Sequence, residues 1–171
     1  MADMMTPEQR SRCMAAVKGK NTKPEMMVRK YLFSKGLRYR VNNRKLPGSP
    51  DIVLKKYKTA VFIDGCFWHG HEGCRYYRMP KSNVDFWERK ISHNKARDIS
   101  NNAVLGIMGW KVIRVWECDV KTKESREQTL LDLYHKITGG SPDSLQPGKK
   151  ADVRYGDSGS LDIAAEPESP Y

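Results

Sequence analysis

The sequence predicts an α/β domain with a central mixed β-sheet. Helical patterns and short apolar runs follow one another in the order helix, strand, strand, helix, strand, helix, which is typical of helices layered on a sheet. The runs 59–63 and 110–116 have the strongest strand patterns. At 171 residues, the chain is long enough for one domain whose core needs no disulfides.

The amino-terminal half is expected to form two helices, a short strand and a hairpin. Helices at 6–18 and 22–35 each begin with a threonine cap and a Gln or Glu in the capping-box position. A short strand around 39–41 precedes a turn rich in proline and glycine. The apolar runs 52–54 and 59–63 are separated by four residues, as the strands of a hairpin are.

The carboxyl-terminal half begins with a long helix that starts at Ser82–Asn83 and is closed by Gly109. The strand 110–116 alternates apolar with basic residues, so one of its faces is expected to be wet. Ser125 is expected to cap a last helix that ends at Thr138–Gly139. The domain therefore spans residues 1–138, and the Gly-, Ser-, Pro- and Asp-rich segment 139–171 is expected to be a disordered or loosely attached tail.

The charge of the chain favours a polyanionic partner. The formal net charge is +11, and because the last 33 residues carry −3, residues 1–138 carry +14. Nucleic acid is the expected partner, with a merely soluble, lysine-rich surface as the alternative. The start has no signal-peptide pattern and no apolar run approaches the length of a membrane span, so we expect no membrane partner and a reducing, cytoplasmic location.

The segment 65–74 contains two cysteines, two histidines and two large aromatics directly after a buried strand. Cys66, His71 and Cys74 could bind one ion, with Cys118 as the fourth ligand, and such a donor set suits Zn²⁺ best. The spacing equally allows His69 to replace His71 as a ligand. If it is not a ligand, His69 could be a general base, hold a water, or simply be exposed.

Two carboxylates are expected at one edge of the sheet. Asp51 opens one hairpin strand and Asp64 ends the other, so they could share a hard cation such as Mg²⁺. Phosphodiester hydrolysis uses this arrangement, because the cation activates water and screens developing charge. Asp51 could also be an ordinary turn residue. Glu25 is a capping residue first and a catalytic candidate second.

Phe67 and Trp68 lie in the loop between the metal ligands, where large aromatics cannot all reach the core. Exposed aromatics beside a basic surface can stack on bases or wedge between base steps. The alternative is that they pack against the long helix. Trp87 lies on that helix, at a spacing that favours core burial.

With these motifs the chain resembles the very-short-patch repair endonucleases, which nick DNA beside a thymine–guanine mismatch. The resemblance covers about residues 6–136, and the block Cys66–His69 followed by His71 carries most of it. The other matching residues are Arg10, Ser11, Met14, Thr22, Glu25, Leu46–Gly48, Pro50, Asp51, Phe62, Gly65, Phe86, Trp87, Lys90, Ile91, Asn94, Gly109, Trp110, Val112 and Val115–Cys118.

The resemblance implies a restriction-endonuclease-like fold with a mixed sheet flanked by helices and a structural zinc site. It makes Asp51 the central Mg²⁺ ligand and His69 the catalytic histidine. The residues given further roles by the resemblance are Glu25 near the catalytic centre, Cys66, His71, Cys74 and Cys118 as zinc ligands, Phe67, Trp68 and Trp87 as an aromatic wedge, and Met14 and Asn94 at the DNA.

Ile63 and Asp64 depart from the family pattern, because the best-known members carry Thr and a second catalytic His there. The main-chain carbonyl of Ile63 could still bind Mg²⁺, whereas Asp64 favours a two-carboxylate pattern. The third zinc ligand of the loop, Cys74, also comes one residue later, through Gly73.

The resemblance implies an endonuclease that nicks 5′ of the mispaired thymine, left by deamination of methylated cytosine, in double-stranded DNA. Alternatives are another nuclease of this fold and a zinc-stabilised DNA-binding module without chemistry. We expect a monomer in a bacterial or phage-like setting, with mismatch-repair or resynthesis proteins as possible partners.

Overall fold

Four strands form one mixed sheet in a computed structural model that describes residues 6–16 and 19–140. The strands are β1 (Arg40–Val41), β2 (Ile52–Leu54), β3 (Thr59–Asp64) and β4 (Lys111–Trp116), and they lie in this order across the sheet. The helices are α1 (Pro7–Ala15), α2 (Lys23–Ser34), α3 (Val84–Ile107) and α4 (Lys123–Thr138). Short 3₁₀ turns occupy Lys55–Tyr57 and Glu117–Val120.

The central strand of the sheet is β3. It pairs antiparallel with β2 and parallel with β4, and the parallel register runs from Thr59 opposite Lys111 to Asp64 opposite Trp116. The long α3 makes the crossover that a parallel pair requires. The predicted mixed sheet, including the hairpin of β2 and β3, is confirmed.

The sheet is covered on both faces, because alternate residues of each strand point to opposite sides. Val61, Ile113 and Val115 belong to a core shared with α2 and α4, which contribute Leu32 and Leu133. On the other face lies a smaller core, to which α3 contributes Leu105. Its members are Leu46, Val53, Ala60, Phe62 and Leu105.

The helix ends differ from the sequence expectation in two places. The cap of α4 is Thr122, whose hydroxyl accepts the Ser125 N–H at 3.3 Å, so the predicted cap Ser125 is wrong and lies in the first turn. A threonine three residues earlier supplied an equally good cap. The first helix ends at Ala15, and the predicted end Lys18 lies outside the described residues.

The expected tail lies mostly outside the described residues, which end at 140. Gly139, with φ 74°, closes α4 in the left-handed conformation that favours glycine. Within the described part of the chain, no helix is long and apolar enough to cross a membrane.

Leu105 should be the anchor that holds α3 on the sheet. Its side chain is fully buried, and it is the α3 member of the smaller core. Leu105→Ala is expected to lower the free energy of unfolding by about 2–5 kcal/mol, because the cavity it leaves cannot fully collapse. Urea denaturation measures this. The matched control Ile107→Ala, at a side chain that is 87% exposed, should change it by less than about 0.5 kcal/mol, and an equal loss in both variants would contradict the assignment.

Candidate active site and metal centre

A cleft of about 880 Å³ opens at the carboxyl end of β3. Among its charged lining residues, acidic side chains outnumber basic ones, although the chain as a whole is strongly basic. The acidic residues are Glu25, Asp51, Asp64, Asp98 and Glu117, and they are joined by Trp68 and His69. The structure therefore brings all four predicted catalytic residues into one cavity.

Asp51 immediately precedes β2, and its Oδ2 accepts the Ile63 main-chain N–H at 2.7 Å. The pKa of Asp51 is raised to about 6, mainly by burial and also by the neighbouring carboxylates Glu25 and Asp64, while the Ile63 hydrogen bond and the charge of Arg29 act to lower it. An ionised Asp51 is thus short of compensating charge, which a bound cation would supply.

Glu25 combines both roles that the sequence suggested for it. Its Oε1 accepts the Thr22 hydroxyl at 2.9 Å, while its Oε2 accepts the Asn21 N–H at 3.0 Å and an N–H of Arg29 at 2.9 Å. The carboxylate is buried yet lines the cleft. Capping is therefore observed directly, and a role in catalysis stays a prediction.

His69 is oriented by a carboxylate that the sequence analysis missed. Its Nδ1 lies 2.6 Å from Asp98 Oδ2 and 3.7 Å from Asp64 Oδ1. The ring's other nitrogen, Nε2, is then the one directed away from the carboxylates and available to a substrate. Asp98 lies on α3 one turn after Asn94, so the two residues share a helix face. This spacing is the only local sequence signal that could have pointed to Asp98.

Asp64 is paired with Arg114, a second residue that the sequence analysis missed. Asp64 as a whole is only 3% exposed, and its carboxylate accepts an N–H of Arg114 at 2.5 Å. Burial raises the pKa of Asp64, while His69 and Arg114 act to lower it. The alternation of apolar and basic residues in β4 marked Arg114 as a residue on a wet face and did not reveal its partner.

Four ligand atoms, from Cys66, His71, Cys74 and Cys118, lie within 4.8 Å of one another. Tetrahedral coordination by sulfur at about 2.3 Å places ligand atoms about 3.8 Å apart, so a small contraction would suffice. The structure separates the two histidines: His71 joins this cluster, and its ring stacks on Trp116 with 4.0 Å between ring centroids. His69 faces the carboxylates.

The electrostatics of the cluster match a site that binds a cation. Burial raises the pKa of the Cys66 thiol and of the Cys118 thiol, because it disfavours the charged thiolate. A hydrogen bond from the Tyr76 N–H lowers the pKa of Cys74. Thiolates held this close together in a partly buried site need a positive charge between them.

The aromatic residues form one cluster at the surface. Phe67 lies edge-on to Trp68 and to Trp87, with 5.2 Å between ring centroids in both pairs. All three are half-buried, and none belongs to either core. The core burial considered for Trp87 is therefore not observed. Phe86, which is 52% exposed, extends the cluster along α3.

Asn94 and Met14 were both expected at the DNA. Asn94 is buried, and its amide donates to the Trp68 carbonyl at 2.9 Å. It therefore holds the backbone of the loop that carries Phe67 and Trp68. Met14 is 43% exposed on α1. Direct contact of either residue with DNA stays a prediction.

Comparison with known proteins identifies the family. The family model described as DNA mismatch endonuclease Vsr matches residues 2–75. The chain is 50% identical over 137 residues to the Type II nicking enzyme V.NmeAIP of Neisseria meningitidis serogroup A, an alignment that covers 80% of this chain and 97% of that protein. The chain belongs to the Vsr family of endonucleases.

Other members of the Vsr family match over a similar span. The Type II nicking enzyme V.HpaIIP of Haemophilus parainfluenzae is 52% identical, over 69% of this chain and 84% of that protein. The DNA mismatch endonuclease Vsr of Escherichia coli is 37% identical, over 72% of this chain and 79% of that protein. The predicted family, its restriction-endonuclease-like fold and an endodeoxyribonuclease activity are confirmed.

The metal cluster should be needed for folding. Cys118→Ala removes the ligand that joins the end of β4 to the loop after β3, so the variant is expected to be insoluble or partly unfolded. Circular dichroism and elemental analysis of the purified protein measure this. The conservative control Ser125→Ala, beside the same loop, should leave metal content unchanged. Folded wild-type protein that contains no metal would contradict the assignment.

Proposed function

We propose that this enzyme nicks one strand of double-stranded DNA 5′ of the thymine in a thymine–guanine mismatch, by Mg²⁺-dependent hydrolysis. The mispair would arise from deamination of 5-methylcytosine, and the nick would begin very-short-patch repair. The single observation that carries this proposal is the cleft itself, which places Asp51 and His69 beside the cluster of Phe67, Trp68 and Trp87.

Asp51 and the main-chain carbonyl of Ile63 would hold the Mg²⁺. The raised pKa of Asp51 and the hard oxygen donors at this edge fit such a cation. When bound, Mg²⁺ supplies a Lewis acid that activates water and screens charge on the phosphate. His69, held at Nδ1 by Asp98, would present Nε2 to the scissile phosphate or to the attacking water as a general base or hydrogen-bond donor.

The second metal would be a structural Zn²⁺. Three thiols and one imidazole are a typical donor set for closed, four-coordinate zinc. Its role would be to tie the loop 66–74 to the end of β4. The part of the loop between its first two ligands would then carry function, because Phe67, Trp68 and His69 lie there.

Basic residues at the edge of the cleft would bind the DNA backbone. Lys20, Arg44 and Arg97 line the same cavity as the carboxylates, and the domain is strongly basic overall. Their phosphate contacts would supply most of the affinity and make it sensitive to salt. The carboxylates that line the cleft would repel the phosphate of uncut DNA until the cation is bound.

A second candidate is a nuclease of the same fold whose target differs in flanking sequence or mismatch. It is favoured by the names of the related Type II nicking enzymes and by Asp64, which stands where the best-known members carry histidine. Nicking assays on a panel of single-mismatch duplexes separate the candidates. Cleavage of the thymine–guanine duplex alone supports the proposal, whereas equal cleavage of other mismatches or of paired DNA favours the second candidate.

Asp51→Asn should separate chemistry from binding. The variant loses the charge that would hold the cation, so nicking is expected to fall below detection. Mismatch binding should stay within about threefold or tighten, because a carboxylate facing phosphate is removed. Gel-shift and nicking assays on one duplex measure both. The matched control Asp132→Asn, exposed on α4, should behave as wild type, and Mg²⁺-dependent nicking by Asp51→Asn at a near wild-type rate would show that the cation assignment is wrong.

Trp68→Ala should lose most of the preference for mismatched over paired duplex. Stacking of a base on an aromatic ring contributes roughly 1–3 kcal/mol, and opening the stack is easiest at a mispair. Binding competition between the two duplexes measures the preference, and nonspecific binding should keep its salt dependence. The control Phe33→Ala removes an aromatic that is 57% exposed on α2, outside the cleft, and should change neither quantity. Full mismatch preference in Trp68→Ala would contradict the proposed role of the aromatic cluster as a wedge between base steps.

A further inference from the structure

Arg114 lies on β4, beside two carboxylates that line the cleft, and is held on several sides. It lies opposite Phe62 in the parallel register, and its guanidinium lies 5.0 Å from the centroid of that ring. One of its nitrogens, Nη1, is 2.5 Å from Asp64 Oδ2 and 3.4 Å from Asp98 Oδ2. Its Nη2 donates to Asn102 at 3.3 Å. A side chain held in this way is suited to holding others in place and has little freedom to contact substrate.

The two carboxylates bridged by Arg114 are the same two that face His69. Asp98 lies 2.6 Å and Asp64 lies 3.7 Å from the Nδ1 of that histidine. One guanidinium thus compensates part of the negative charge on the inner side of the ring. Without it, the like charges of Asp64 and Asp98 would repel each other beside the same ring nitrogen.

Both oxygens of Asp64 face a partner in this arrangement. Its Oδ2 is paired with Arg114, and its Oδ1 faces His69. The side chain is also 4% exposed, so turning it towards a cation at Asp51 would break a buried ion pair. The sequence pattern of two carboxylates therefore does not produce two carboxylate ligands.

We propose that Asp64 and Arg114 form a positioning pair for His69, and that Asp64 is not a ligand of the catalytic cation. This inference rests on the proposed function, since it assigns the residues around its catalytic histidine. The cation site then has one carboxylate, Asp51, and the charge at position 64 serves the orientation of the imidazole.

The kinetic test uses Asp64→Asn in the full-length protein and varies Mg²⁺ at saturating mismatched duplex. A positioning role predicts that the maximal nicking rate falls by roughly 100-fold, as misplacement of a catalytic group does. The Mg²⁺ concentration for half-maximal rate should then change by less than about twofold. A rise of about tenfold or more in that concentration, the usual effect of disturbing a metal site, would overturn the proposal.

A second test needs neither Mg²⁺ nor nicking. Thermal unfolding in Mg²⁺-free buffer is measured for Arg114→Met, Asp64→Asn and the double variant. Arg114→Met leaves Asp64 buried and uncompensated, so its Tm should fall by roughly 10 °C, and adding Asp64→Asn should restore more than half of the loss. If the two single variants lower the Tm and their losses simply add in the double variant, Asp64 and Arg114 are not coupled and the proposal is wrong.

Two further variants complete the cycle. Arg126→Met is the matched control, because Arg126 donates to main-chain carbonyls of residues 120 and 121 outside the cleft and should show no coupling to Asp64→Asn. Arg114→Lys, which keeps the charge, should fold even if Arg114→Met does not. Its nicking rate should fall while the half-maximal Mg²⁺ concentration stays unchanged, and a shift in that concentration counts against the proposal.

The two proposals fail in different ways. If wild-type protein nicks no mismatched duplex, the proposed function fails, while the unfolding cycle still decides whether Asp64 and Arg114 are coupled. If wild-type protein nicks the thymine–guanine duplex and Asp64→Asn raises its Mg²⁺ requirement, the proposed function stands and the positioning pair is wrong.

Discussion

The parallel pairing of β3 with β4 is the constraint on which the active site depends. Its register ends with Asp64 opposite Trp116, and the two strands leave the sheet together at that point. Cys66 and Cys118 each follow by two residues, which is why ligands 52 positions apart in sequence meet in one cluster. The hydrogen bond from Ile63 to Asp51 brings the start of β2 to the same end. The Cys/His cluster and the proposed catalytic residues therefore lie at the same end of the sheet.

Charge compensation explains how a basic protein tolerates an acidic cavity. Most of the buried carboxylates have a cationic neighbour, since Glu25 is paired with Arg29 and Asp64 with Arg114. Asp51 instead accepts a main-chain N–H, and burial raises its pKa to about 6. Among these groups it is the one whose ionised form gains most from an added cation. Asp51 is therefore the position proposed for the cation.

Local patterns in the sequence predicted most of the fold, and the spacing of cysteines and histidines predicted the metal cluster. The threonine caps and the strand alternation act over a few residues and can be recognised without a structure. The partners of His69 could not, because Asp98 is 29 residues away and the contact between Arg114 and Asp64 spans 50. The role of Asp64 shows the consequence. Sequence alone suggested a second cation ligand, whereas its nearest charge is an arginine on the neighbouring strand.

One face of α3 supports both the aromatic cluster and His69. Trp87, Asn94 and Asp98 follow one another at two turns and one turn of the helix, so they lie along the same side. The first packs against the half-buried Phe67 and Trp68, the second donates to the carbonyl of Trp68, and the third contacts His69. The residues proposed for recognition and the histidine proposed for catalysis are therefore supported by the same helix. Leu105, further along that helix, packs in the smaller core and holds the helix on the sheet.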